Sequence, residues 1–183
     1  MRELALHILD VLENAVEAGA TRITLTIEED SARDRFTFTV EDNGRGMPPE
    51  LADRVLDPFV TTRETRHVGL GLPLLAAAAE RAGGRVQVRS QPGKGTEVLA
   101  TFQLRHWDRA PLGDLPGTLL AVILGKEGVD LTYVHRVDGR EFRLDTAELR
   151  QALGEVPLTH PSVRRWLQEY LREGIAGLER PVE

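Results

Sequence analysis

The chain has 183 residues, room for one large domain or for a domain of about 100 residues with a smaller one behind it. Hydrophobic residues make up 41%, enough for a packed core, and a formal net charge of -6 argues against nucleic acid or an anionic membrane surface as the main partner. The absence of cysteine excludes disulfides, iron–sulfur ligation and zinc–thiolate sites.

Leu4, Ile8, Leu9, Val11, Leu12, Ala15 and Val16 recur at helical spacing, which predicts a helix over residues 3–18 closed by Gly19. Glu3, His7, Asp10, Asn14 and Glu17 share a polar stripe on it. Because this helix follows Met1-Arg2-Glu3 directly, no leader peptide is expected, and no apolar run reaches the ~18–20 residues of a membrane span. The expected location is the cytoplasm. Residues 22–28 and 35–41 alternate apolar and polar, as an antiparallel pair with one buried face does. Asp42-Asn43-Gly44-Arg45-Gly46 reads as a loop, and Pro48-Pro49 opens a short helix through about Leu56.

Residues 57–71 read as loop, Leu72 to Ala82 as helix ending at Gly83-Gly84, and 85–90 and 96–104 as strands. A sheet with helices on one face satisfies this order. The stretch from His106 to Pro116 is irregular, which sets a boundary between residues 1–104 and 105–183. In the second part, residues 117–124 are too apolar to stay exposed and belong to a core or an interface. Residues 129–137 and 140–145 form a hairpin turned at Asp138-Gly139, and helices follow near 146–153 and 161–178.

Four places carry chemistry. Asn14 offers a neutral amide oxygen suited to Mg²⁺, and Asp10, one turn earlier, is placed to accept a proton from water or a hydroxyl. Asp42 precedes Gly44 and Gly46, glycines that let backbone approach a flat ligand, and its carboxylate can accept from an exocyclic amine. Gly69-Leu70-Gly71-Leu72 opens a helix whose free N–H groups suit an anion; no Lys-Ser or Lys-Thr follows, so it is not a P-loop. Thr96, after Gly93-Lys94-Gly95, supplies a hydroxyl at a hairpin. Each signal alone also fits a solvated helix face or a plain turn.

Their order resembles the GHKL ATPase superfamily, which includes histidine kinases, mismatch-repair ATPases, gyrases and anti-sigma-factor serine kinases. Glu13-Asn14-Ala15-Val16-Glu17-Ala18-Gly19-Ala20 is similar to that family's asparagine box and Asp42 to Met47 to its first glycine box. Asp57-Pro58-Phe59-Val60-Thr61-Thr62-Arg63 is similar to the Pro-Phe-x-Thr-Thr segment of histidine kinases, and Gly69 to Leu72 to the second glycine box. Gly83 to Phe102 resembles the closing strands. The resemblance covers about residues 3–104. It implies a Bergerat fold of the α+β class: a two-layer α/β sandwich with a mixed, largely antiparallel sheet and helices on one face, here followed by a small α+β C-terminal extension.

The resemblance also implies roles. Asn14 would hold Mg²⁺ against the phosphates of ATP, Asp42 would bond the adenine amine, and Gly44, Gly46 and Met47 would line the base. Phe59 would cover the pocket. Thr61, Thr62, Arg63 and His67 belong to a short lid, with Arg63 and His67 reaching phosphate. Gly69, Leu70, Gly71 and Leu72 would start the phosphate-facing helix, and Thr96 would contact adenine directly or through water. Many histidine kinases have asparagine where this chain has Asp10; hydrolase and serine-kinase relatives have a catalytic glutamate there. Asp10 is therefore the expected base, with Glu13 and Glu17 as nearby alternatives.

A histidine-bearing phospho-acceptor hairpin is not expected before residue 3. The first expectation is thus a regulatory protein kinase acting on a partner; a slow ATPase that switches a protein interaction and a non-catalytic ATP-binding adaptor are the alternatives. The whole chain resembles stand-alone ATP-binding proteins encoded beside hydrogenase or NADH-dehydrogenase-like subunits. A redox or regulatory protein is accordingly an expected partner, and residues 105–183 are an expected docking or dimerisation module.

Overall fold

A computed structural model of the chain describes residues 3–59 and 71–180. One six-stranded sheet runs in the order β3-β4-β2-β1-β5-β6. β1 (Arg22–Asp30) and β2 (Arg35–Asp42) form the expected antiparallel pair, and β2 continues antiparallel to β4 (Gly95–Gln103), which pairs with β3 (Arg85–Gln91). On the other side β1 runs parallel to β5 (Asp130–Val137), which turns back into β6 (Arg140–Asp145). The residues after Leu104 therefore extend the same sheet. The β5–β6 turn is the expected Asp138-Gly139, both with positive φ, the twist-matched form of a two-residue hairpin.

Register follows from the pleat. Ile23, Leu25 and Ile27 of β1, Phe36, Phe38 and Val40 of β2, and Val98, Ala100 and Phe102 of β4 all point to one face and are buried. The Phe102 ring meets Phe36 edge-on at 5.9 Å. Threonines 24, 26, 37, 39 and 101 occupy the half-buried opposite face.

The helices cover the apolar face. α3 (Gly71–Arg81) lies over β3 and β4, and α1 (Leu4–Glu17) lies beside it and touches β2. α4 (Leu115–Gly125) packs between α1 and α6 (Pro161–Glu179), and α6 covers β5 and β6. α5 (Thr146–Leu153) is capped by Asp145, whose carboxylate accepts from the Ala147 N–H at 2.9 Å. Two elements need comment: the run expected in a core or interface is buried as expected, and the short helix is shorter than expected. The apolar run at 117–124 is the body of α4, a helix wedged between two others and so apolar with little periodicity. α2 is a single turn, Pro49–Ala52, and stops short of Leu56. Among the described residues, no helix is long and apolar enough to cross a membrane.

α6 approaches β6 closely at Gly174, where a Cβ would strike the Phe142 ring, while Gly177 faces open space. Gly177→Ala is expected to stabilise the chain by up to about 1 kcal/mol through helix propensity. Gly174→Ala, one turn earlier, is expected to lower the melting temperature despite the same propensity gain. Thermal unfolding of both variants checks the pair.

Candidate functional site

The inward stripe of three neighbouring strands changes character at one end. Phe36, Phe38 and Val40 lead to Asp42; Phe102, Ala100 and Val98 lead to Thr96; Val86 and Val88 lead to Ser90. The registers pair Asp42 with Thr96 and Thr96 with Ser90, so three polar side chains form a row at the mouth of an apolar sheet.

That row is wired to the first glycine loop. Asp42 Oδ1 accepts from the Gly44 N–H at 2.8 Å, and the Thr96 backbone N–H also bonds its carboxylate. Ser90 Oγ accepts from the Met47 N–H at 2.8 Å, lies 2.8 Å from Thr96 Oγ1, and donates within reach of the Gly95 carbonyl at 3.1 Å. Asn43 Oδ1 accepts from the Thr21 and Arg22 N–H groups at 2.8 and 2.9 Å, which pins the loop to the start of β1. Two close approaches demand glycine. Gly46 (φ 70) sits where a Cβ would strike the Gln91 carbonyl, and Gly95 (φ 115) where one would strike the Asp42 carbonyl.

Beside the row opens a cavity of about 280 Å³, at the lower edge of the ~300–1,000 Å³ typical of small-molecule pockets. Val11, Ala15, Leu51, Leu72 and Val98 give it apolar walls, Asn14, Asp42, Gly46, Met47 and Thr96 line it as well, and Glu17, Ala18, Arg45 and Pro48 close it. Burial pushes the Asp42 carboxyl above its usual range, against the pull of its two backbone hydrogen bonds. Asp10 shares the α1 face with Asn14, and its Oδ2 would be 3.2 Å from a Cβ on Gly71, so it stands at the start of α3. Burial raises its pKa as well.

The cavity thus gathers Asn14, Asp42, Gly46, Met47, Leu72 and Thr96, with Gly44 bonded to Asp42, and Asp10 and Gly71 meeting alongside. Glu13 is not gathered. It is exposed and lines a separate groove between α1 and α4, because one residue of helix turns it about 100° from Asn14. Phe59 is 91% exposed, its N–H bonded to Asp57, and is not among the residues lining the cavity. Thr61, Thr62, Arg63, His67, Gly69 and Leu70 lie outside the described residues. Sequence reasoning missed Ser90, although the Val86, Val88, Ser90 alternation marks it as inward-facing next to a turn. His7 is a packed neutral imidazole: burial, the N-terminal charge and Arg81 hold its pKa down to about 4.

A family model described as "Histidine kinase-, DNA gyrase B-, and HSP90-like ATPase" matches residues 2–106. The alginate biosynthesis sensor protein KinB of Pseudomonas aeruginosa is 38% identical over 87 residues, 47% of this chain and 15% of that protein. Sporulation kinase A of Bacillus subtilis is 35% identical over 98 residues, 51% of this chain and 15% of that protein. The chain therefore spans a small part of the length of these relatives. The crystal structure of the N-terminal domain of a DNA repair protein superposes with a TM-score of 0.54, covering 79% of this chain and 53% of that chain at 13% identity, a likeness of fold alone.

The raised pKa of Asp42 has a consequence for stability. A carboxyl whose folded pKa lies above its unfolded value favours the fold below the unfolded pKa, and that contribution is lost as pH rises through the folded one. Ionised Asp42 therefore costs stability at neutral pH. Asp42→Asn is expected to melt higher than the wild type at pH 7 without nucleotide, and the difference is expected to shrink as pH falls into the ordinary aspartate range. Melting curves across pH check this; a difference independent of pH would exclude burial of the charge as its cause.

Proposed function

The chain belongs to the histidine kinase-, DNA gyrase B- and HSP90-like ATPase family and carries its histidine-kinase-like ATP-binding domain over residues 2–106, and from this we propose that the cavity between α1 and the β2–β4–β3 row is the Mg-ATP site of a regulatory protein kinase acting on a partner. The observation that carries the proposal is Asp42: a half-buried carboxylate, fixed by two backbone N–H groups, facing an apolar slot. Adenine fits it, with a flat apolar body and an exocyclic amine that needs an acceptor.

In this reading Asp42 accepts from the adenine amine and Thr96 bonds the base directly or through water. Gly44 and Gly46 admit the ring, and Met47 and Leu72 form its apolar wall. Asn14 contributes an amide oxygen toward Mg²⁺. Among the described residues, no cluster of three His, Asp or Glu side chains is built to cage a metal. In this reading the ion is held mostly by phosphate oxygens and water, with Asn14 as a protein ligand. Mg²⁺ would neutralise phosphate charge there. In the same reading the N–H groups of the first turn of α3 would face anionic oxygens. From the family pattern, Gly69, Leu70 and Gly71 are proposed to contact phosphate, and Phe59, Thr61, Thr62 and Arg63 to contact the nucleotide.

Asp10 is the proposed proton acceptor. It lies one helical turn from Asn14 and beside Gly71, and its raised pKa makes it a stronger base than an exposed aspartate. No described histidine is placed to receive phosphate in this cavity. His7 is packed, His106 Nδ1 accepts from the Asp108 N–H, His135 Nδ1 is 2.7 Å from the Tyr133 hydroxyl, and His160 caps α6; none of the four lines the cavity. A protein hydroxyl or histidine on a partner, redox or regulatory in kind, is the proposed acceptor. With water as acceptor, the same site would be a slow ATPase.

Loss of Asp10 tests the chemistry separately from binding. Asp10→Asn is expected to retain ATP affinity within a few-fold and to lose phosphate transfer or release by about 100-fold or more. Assays with γ-labelled ATP, with and without candidate partners, measure both routes. Unchanged turnover would remove Asp10 from the chemistry, and tight binding with neither activity would leave an adaptor.

A further inference from the structure

The sheet leaves β6 at one edge, and among the described residues β6 pairs with β5 alone. A free edge is a row of unpaired N–H and C=O groups ready for another strand. This edge also carries an aromatic ledge. The Phe142 ring lies 5.1 Å from Tyr170, and Tyr170 stacks on Trp166 at 4.8 Å with an interplanar angle of 14°. Both α6 aromatics stay open to solvent, Trp166 at 45% and Tyr170 at 37%. They do not serve the core: α6 buries a different stripe, Val163, Leu167, Leu171 and Ile175. Trp166 and Tyr170 form a second apolar stripe, one helical turn apart, that meets the edge strand at Phe142.

Charges normally guard such edges against self-pairing. Here their order does the reverse. Glu141 and Arg143 flank Phe142 on the open face of β6 and are both exposed. Two antiparallel copies of β6 centred on Phe142 set Glu141 of each copy opposite Arg143 of the other, twice over. Phe142 then meets its own mate on the face carrying the two ledges. Such a contact is isologous and closes on itself. The present partners of these charges are exposed pairs, Glu141 with Arg136 and Arg143 with Asp145 and Glu148, and bind them weakly.

We propose that the β6 edge with its Phe142–Tyr170–Trp166 ledge is an interface between two copies of this chain, joined antiparallel about Phe142 so that the sheet continues across a two-fold axis. Opposed charges select the register, and the aromatic rings supply the desolvated centre. The interface lies at the far side of the sheet from the β2–β4–β3 row and does not rest on the nucleotide reading.

Charge reversal in the full chain tests it, followed by sedimentation equilibrium across a dilution series. Wild type is expected to dimerise. Glu141→Arg and Arg143→Glu are each expected to raise the dimer dissociation constant at least about tenfold, since each replaces two attractive cross-strand pairs with two repulsive ones. The double variant Glu141→Arg/Arg143→Glu is expected to restore dimerisation, which a merely structural role of either residue would not produce. A wild type that is monomeric throughout, single variants that dimerise like wild type, or a double variant that stays monomeric would each overturn the proposal. The first of these would leave the edge to a strand from a different protein.

Discussion

The structure turns on one constraint: three adjacent antiparallel strands must end their apolar stripes in the same register row. Asp42, Thr96 and Ser90 are polar where Val40, Val98 and Val88, two residues away on the same inward stripes, are apolar. A slip of one residue would send Asp42 to the open face and turn Phe36 and Phe38 outward, so the core that packs under α1 and α3 also fixes the site. The floor of the cavity and the seal of the core are one surface. The loop after β2 can meet this row only because Gly46 and Gly95 carry no Cβ.

The same arrangement sets stability against function. Holding a carboxylate half-buried beside an apolar slot disfavours its charge, yet an acceptor in that place is what an exocyclic amine requires. The fold offsets the cost locally, with backbone N–H groups from Gly44 and Thr96 on the carboxylate and Ser90 bridging Met47 to Thr96. A site prepared in this way spends little on ordering itself when a ligand arrives. Farther off, β5 parallel to β1 and α4 against α1 brace the helix that carries Asp10 and Asn14.

Much of this was legible in the sequence. Alternation gave β1 to β4 and the β5–β6 hairpin, and helical spacing gave α1, α3, α5 and α6, each to within a few residues. Asn14, Asp42, Gly46, Met47, Leu72 and Thr96, singled out from scattered motifs, converge on one cavity. Periodicity is blind where a helix is apolar all round, which hid α4. The parallel insertion of β5 beside β1 is a long-range pairing that no local pattern encodes. Ser90 escaped because, although alternation with Val86 and Val88 turns it inward, its hydroxyl gains a role only when the register sets it beside Thr96. Glu13 was drawn in by its nearness to Asn14 in sequence, but neighbours on a helix face different ways.

The adenine assignment is tested most directly by calorimetric titration of Mg-ATP into the wild type and into Asp42→Asn. Asparagine keeps an oxygen for the Gly44 N–H but replaces a charged acceptor by one that also presents an amide N–H. The expected result is saturable binding to the wild type and an affinity at least about tenfold weaker in the variant, the loss of one charge-assisted hydrogen bond. Equal affinity in the two proteins, or no binding to the wild type, would contradict the account.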